Sequence, residues 1–286
     1  MPKTYNDLYM ETRRALRGAG IEAYNLEARL IVAKACGKTM EKLLQDLQLY
    51  TASGMEAKVK ELTERRLAGE PVAYLTNSWE FYGLSMEITP DVLIPRMDTE
   101  VMVRTALEQL TGKKMDARIL DLCCGSGCIG CAMAWNLPAS RVVMVDISPE
   151  ALRVARHNSI ALGLSGRVMC TDADALKVPP MLVGSFDVIL CNPPYIPSAE
   201  ILMLDPSVRD FEPIWALDGG EDGLDFYRSV LKNWKSVLRS GGMLFFEVGE
   251  GQSESVQSLM RQAGFLDVHA VLDSGNVERV IYGSLS

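Results

Sequence analysis

Apolar positions in the first seventy or so residues recur at helical spacing, whereas further along short apolar runs alternate with amphipathic stretches. The first part reads as helices over roughly 4–17, 24–36, 39–47 and 53–68, broken at Gly18-Ala19-Gly20, Gly37 and Ser53-Gly54. Ser53 with Glu56 has the spacing of a capping box, and Gly69 followed by Pro71 closes the last helix. Trp79 to Ile88 alternates around Gly83 and predicts a hairpin of short strands. From about residue 98 the pattern predicts strands near 118–122, 141–145, 168–170, 186–191, 243–248, 268–271 and 277–282, with helices between most of them. Such alternation predicts an α/β doubly wound sheet. The chain is therefore divided into a helical domain at 1–75, a β-hairpin bridge at 76–97 and an α/β domain at 98–286.

With 48% hydrophobic residues, the 286-residue chain can bury a sizeable core without disulfides. No apolar run approaches the roughly 20 residues that cross a bilayer, and the opening Met1-Pro2-Lys3-Thr4-Tyr5 leads into a charged helical pattern. The expectation is a cytoplasmic protein without membrane association. The helical part carries a net charge of +2 and the remainder −10, which together give the overall −8. An acidic α/β part argues against a large duplex-DNA footprint, although a local basic groove for a nucleic-acid base stays compatible with it. Four of the seven cysteines crowd between Cys123 and Cys131, which suits reduced thiols better than a secretory disulfide framework. Their spacing lacks the separated pairs of a structural zinc site, so no metal is expected.

Chemistry enters at Ile119 to Cys128, a strand running into a glycine-bearing turn and then a helix. Backbone approaches a nucleotide-like ligand closely at such a turn. The Lys of a phosphate-binding loop is missing, and Gly125, Gly127 and Gly130 follow Asp121 at a strand end. An acid there can meet a ligand ammonium, which S-adenosylmethionine has and NAD lacks at the corresponding end. Asp146 ends the next strand, where a carboxylate can accept both ribose hydroxyls. Beyond the third strand, Asp172 could accept from an adenine amino group while Ala173 leaves room beside the ring.

Asn192-Pro193-Pro194-Tyr195 follows the apolar run Phe186 to Cys191, at the carboxyl end of an expected central strand. An amide nitrogen is a poor nucleophile because its lone pair is delocalised. A site helps by accepting both N–H bonds in fixed directions and holding the nitrogen in line with the methyl donor. Asn192 Oδ1 and the Pro193 carbonyl are the candidate acceptors, and Tyr195 can cover the flat face of the amide or base. Residue chemistry alone leaves the acceptor open between a side-chain amide and the amino group of a nucleic-acid base.

Asn192 to Pro197, Asp121 to Gly127, Ile94 to Glu100 and Ala216 to Arg228 together resemble the release factor glutamine methyltransferase family, and the likeness spans nearly the whole chain. The resemblance implies N5-methylation of the glutamine in the Gly-Gly-Gln motif of bacterial peptide chain release factors, with S-adenosylmethionine as donor and S-adenosylhomocysteine as product. It further implies a helical substrate-docking domain, a short β bridge and a class I methyltransferase sheet with an antiparallel last strand. By the same resemblance Asn192, Pro193 and Tyr195 are catalytic, and Asp121, Gly125, Gly127, Asp146, Asp172, Ala173 and Asn192 bind the cofactor. A monomer is expected, with no direct contact to nucleic acid. Where the family more often has glycine and threonine, this chain has Cys123 and Cys124, which puts a side chain where backbone approach matters. Arg96 and Glu100 are candidates to brace the bridge, Glu247 lies near the active edge, and Glu212 has no place from sequence alone.

Overall fold

The computed structural model describes residues 2–286 and resolves two compact units. One runs to Ser78 and takes in Pro206–Phe211; the other comprises Trp79–Asp205 and Glu212–Ser286. Residues 79–97 of the bridge expected at 76–97 thus fall inside the second unit, and residues 206–211 belong to the helical one, a grouping that no local pattern marks.

The helical unit contains α1 (Tyr5–Gly18), α2 (Tyr24–Ala35), α3 (Met40–Gln45), α4 (Met55–Leu67) and α5 (Val72–Thr76). A reciprocal capping box starts α1: Thr4 Oγ accepts from Asp7 N at 3.1 Å, and Asp7 Oδ2 accepts from Thr4 N at 2.8 Å. The cap expected at Ser53 does not form. Gly54, in the left-handed region at φ +85°, occupies the cap position of α4 and has no side chain to offer its backbone donors. Leu8, Val32 and Leu43 are buried between the helices, each worth about 1.5–3 kcal/mol over exposure. Arg66 of α4 donates to the Glu27 carboxylate of α2 at 2.6 Å. Helix α5 escapes the sequence pattern because it has five residues and four of them, Val72 to Leu75, are buried.

In the second unit β1 (Trp79–Phe81) and β2 (Leu84–Met86) form the antiparallel hairpin. There follow α6 (Glu100–Leu110), β3 (Arg118–Leu122), α7 (Cys128–Asn136), β4 (Arg141–Asp146), α8 (Pro149–Ala161), β5 (Val168–Asp172) and β6 (Phe186–Cys191). After α9 (Pro206–Arg209), which sits in the other unit's segment, come α10 (Asp225–Asn233), β7 (Leu238–Glu247), α11 (Ser253–Gln262), β8 (Phe265–Leu272) and β9 (Glu278–Leu285). The seven strands lie in the order β5-β4-β3-β6-β7-β9-β8; the first five are parallel, and β9 is antiparallel to both neighbours. Doubly wound topology is as the sequence pattern predicts, and the antiparallel last strand is as the family resemblance implies. Central strands such as Ile119 to Leu122 and Val188 to Cys191 are buried throughout, the mark of a parallel sheet covered on both faces.

The direction of winding reverses between β3 and β6, which pair in parallel with Leu122 opposite Cys191. Open α/β sheets hold ligands in the crevice at such a reversal, beyond the carboxyl ends of the strands. That register brings the glycine turn and Asn192 to one place, although they are seventy residues apart in the chain.

Candidate active site

A cavity of about 240 Å³ opens at these strand ends. Its walls come from four stretches: the turn Cys123 to Ser126 with Cys128 and Ile129, Asp146 and Ile147 after β4, Ala173 to Leu176 after β5, and Asn192 with Pro194 after β6. Asp91 to Leu93, Pro95, Arg96, Thr99, Ala151, Trp215, Ala216 and Phe226 complete it.

The turn is shaped by two carboxylates. Asp146 Oδ2 accepts from Gly125 N at 2.9 Å and its Oδ1 from Ser148 N at 3.0 Å, so the carboxylate ties the turn to the end of β4. Burial raises its pKa, and the backbone donors of Ser148 and Gly125 offset part of that shift. Asp121 lies behind the wall, fully buried. Its Oδ2 accepts from Gly130 N at 2.8 Å, and its Oδ1 has no partner. Burial pushes this carboxyl up to about 7. Gly127 and Gly130 let α7 lie on β4: a Cβ at Gly127 would stand 2.7 Å from Met144 Sδ, and one at Gly130 2.8 Å from Met144 Cγ.

Cys123 occupies the left-handed region at φ +61°, where glycine is the ordinary occupant. Its thiol pKa is pushed well up, first by hydrogen bonding with Cys191 and then by burial. All seven cysteines are free, and among the described residues no three His, Cys, Asp or Glu side chains gather as a metal site.

On the other side, Asn192 is half-buried and donates from Nδ2 to Thr99 Oγ at 3.4 Å. Tyr195 hangs from a tight web. Its carbonyl accepts from Gln252 Nε2 at 2.8 Å, and its hydroxyl stands 3.5 Å from Glu247 Oε1. The next residue, Ile196, pairs with Leu217 and Gly219 through backbone bonds of 2.9 and 2.8 Å. Glu247 is buried, which raises its pKa to about 7. Arg96 of the cavity wall is ion-paired with the buried Glu212, which also accepts from Ile94 N at 3.1 Å. Glu100 instead holds the hairpin turn, accepting from Tyr82 N at 2.8 Å.

Of the residues singled out from sequence, Gly125, Asp146, Ala173 and Asn192 line the cavity together. Asp121, Gly127, Pro193 and Tyr195 stand behind or beside its walls, and Asp172 is exposed, with Asp174 on the wall instead. Sequence reasoning missed Thr99, Trp215 and Phe226. Thr99 lies within the Ile94 to Glu100 segment that carried part of the resemblance, but nothing local pointed its hydroxyl at Asn192.

The family described as Methyltransferase small domain matches residues 98–203, and the family described as PrmC N-terminal domain matches residues 7–76. The chain is 42% identical to a release factor glutamine methyltransferase of Moorella thermoacetica, over 89% of this chain and 88% of that one. It is 38% identical to the like-named protein of Geobacter sulfurreducens, over 96% and 94%. A methyltransferase from Pyrococcus furiosus, 17% identical, has a similar fold with a TM-score of 0.52, covering 79% of this chain and 98% of that one. On sequence and fold together, the chain belongs to the release factor glutamine methyltransferase family.

Proposed function

We propose that this protein transfers the methyl group of S-adenosylmethionine to the side-chain amide nitrogen, N5, of the glutamine in the Gly-Gly-Gln motif of bacterial peptide chain release factors, leaving S-adenosylhomocysteine. One observation carries the reading: the glycine turn after β3 and the Asn192-Pro193-Pro194 segment after β6 bound the same cavity. The names of the two relatives supply the acceptor class. We take the helical unit as the docking surface for the release factor, in a cytoplasmic enzyme that acts as a monomer, without direct contact to nucleic acid.

The residues present fit the cofactor. Asp121 keeps a buried, unpartnered carboxylate oxygen behind the turn, a negative site that favours a nearby ammonium. Asp146 uses one lone pair on each oxygen for backbone donors, which leaves the others for ribose hydroxyls. Ala173 leaves space for a flat ring, and Asp174, rather than the exposed Asp172, puts a carboxylate on the wall for an amino group. When bound, the cofactor supplies an electrophilic methyl on a sulfonium.

The chain's own part is to hold the acceptor. Asn192 Oδ1 and the Pro193 carbonyl accept the two N–H bonds of the glutamine amide, which fixes the plane of the nitrogen and its line of approach. Tyr195, anchored by Gln252 and Glu247, keeps that segment from swinging. No strong base is required, because the nitrogen becomes acidic as its new bond forms and then loses its proton to an oxygen acceptor or water.

Incubation with methyl-labelled cofactor, release factor, ribosomal proteins, RNA and DNA in parallel tests the proposal. Label confined to the Gly-Gly-Gln glutamine is expected. Label on an adenine or a ribosomal protein, with none on the release factor, would overturn it.

A further inference from the structure

We propose that Asn158 is a positioning residue for the cofactor, which from outside the cavity holds the glycine turn and the facing wall segment at a fixed separation. The inference rests on the reading of this cavity as the S-adenosylmethionine site. One wall is the turn Cys123 to Ser126, and another is the segment that contributes Asp91, Val92, Leu93, Pro95 and Arg96. Ile88 and Val92 are buried, which keeps that segment on the α/β unit. Apolar burial has no direction, however, and does not by itself fix where the segment stands relative to the turn.

The directional contacts come from α8. Asn158 is 2% exposed and does not line the cavity, yet its amide reaches both walls. Its Oδ1 accepts from Glu87 N at 2.7 Å and its Nδ2 donates to Glu87 O at 3.0 Å, so the side chain pairs with Glu87 as a neighbouring strand would. The second hydrogen of Nδ2 goes to Ser126 O at 2.9 Å. The amide cannot be reversed, because Glu87 N only donates and the two carbonyls only accept.

Ser126 O is open to this bond because of Asp121. In a regular helix start the carbonyl of Ser126 would take the N–H of Gly130, four residues on, but Gly130 N donates to Asp121 Oδ2 at 2.8 Å. The two buried side chains thus share the first turn of α7 between them. Helix α8 makes two further contacts to the wall segment, Arg153 Nη2 to Asp91 Oδ2 at 3.3 Å and His157 Nε2 to Glu87 Oε2 at 3.2 Å. Both lie at the surface, where water screens them, so the buried amide carries most of the hold.

The test measures S-adenosylmethionine affinity by calorimetry for full-length wild type, Asn158→Ala, Asn158→Asp and Val256→Ala, together with kcat and KM for the release factor at saturating S-adenosylmethionine. Asn158→Ala should weaken cofactor binding roughly 10-fold or more, with kcat and release-factor KM within about 3-fold of wild type. Asn158→Asp keeps the shape and the acceptor for Glu87 N but loses both donors, and it should bind the cofactor no better than about a tenth as well as wild type, which serves if the alanine variant folds poorly. Val256→Ala opens the core under α11, away from the cavity, and should lower Tm without moving the cofactor affinity. Wild-type affinity in Asn158→Asp, or an equal loss of affinity in Val256→Ala, overturns the proposal while binding by wild type leaves the cofactor site standing. Absence of S-adenosylmethionine binding by wild type removes the site itself.

Discussion

Replacing Gly219 with alanine puts a methyl group into backbone. An added Cβ would stand 2.7 Å from Tyr195 Cα, 2.8 Å from Tyr195 C and 2.9 Å from Gly223 Cα. Carbon atoms rest at about 3.5–4.0 Å, so the nearest contact is short by roughly 0.8 Å, and no flexible side chain can yield. The loop cannot simply withdraw. Gly219 N donates to Ile196 O at 2.8 Å, and Gly219 O accepts from Asp225 N at 3.2 Å. Overpacking costs about 1–3 kcal/mol, and a weakened backbone bond adds about 1 kcal/mol. A destabilisation of about 3 kcal/mol corresponds to a Tm drop of about 5 °C in a chain of this size. The functional effect should be larger. Pushing Tyr195 by close to 1 Å carries along Asn192 three residues before it, and a misplacement of that size costs on the order of 100-fold in kcat. Cofactor affinity should change little, since neither Gly219 nor Tyr195 lines the cavity. Calorimetry with S-adenosylmethionine, thermal unfolding and release-factor methylation measure the three quantities. Gly166→Ala, where no heavy atom lies within 4 Å of the added Cβ, serves as the control and should behave as wild type. A Gly219→Ala protein with wild-type kcat and Tm would refute the argument that this glycine sets the Tyr195 backbone.

Asn192→Ala should retain the fold and most cofactor affinity but lose roughly 100-fold or more in kcat, measured after checking its melting curve. Asp146→Ala should weaken S-adenosylmethionine binding at least about 10-fold by calorimetry; because two backbone donors also lose their acceptor, it should cost about 1–3 kcal/mol of stability as well. Asp121 titrates near 7 in the folded state, above its unfolded value. Its favourable contribution is thus complete below about pH 4 and is lost as pH rises through 7, to a total on the order of 4 kcal/mol. Denaturant unfolding without cofactor should therefore show Asp121→Asn gaining on wild type between pH 4.5 and 7.5; a pH-independent difference would count against a buried, raised carboxyl.

Much of this protein is legible along the chain because its signals are local. Strand and helix alternation from Arg118 onward, the acid at the end of β4 and the glycine turn after β3 depend on periodicity and on backbone torsions that few residues tolerate. The Asn192-Pro193-Pro194-Tyr195 segment was recognisable for the same reason. Even local rules failed where two competed: Ser53 has the chemistry of a cap, yet the left-handed turn at Gly54 took the position.

What the sequence by itself determined was the class of fold, the family likeness and most of the residue types at the site. Tertiary structure decided which of them meet. Asp174 rather than Asp172 reaches the wall, Asp121 sits behind it, and residues 206–211 join the helical unit. Only the β3/β6 register sets Asn192 beside the glycine turn, and only the packing of the segment before α6 sets Thr99 against Asn192. The reason is range: torsional preference and burial periodicity act over a few residues, whereas a hydrogen-bond partner ninety residues away is chosen when the buried polar groups are satisfied in three dimensions.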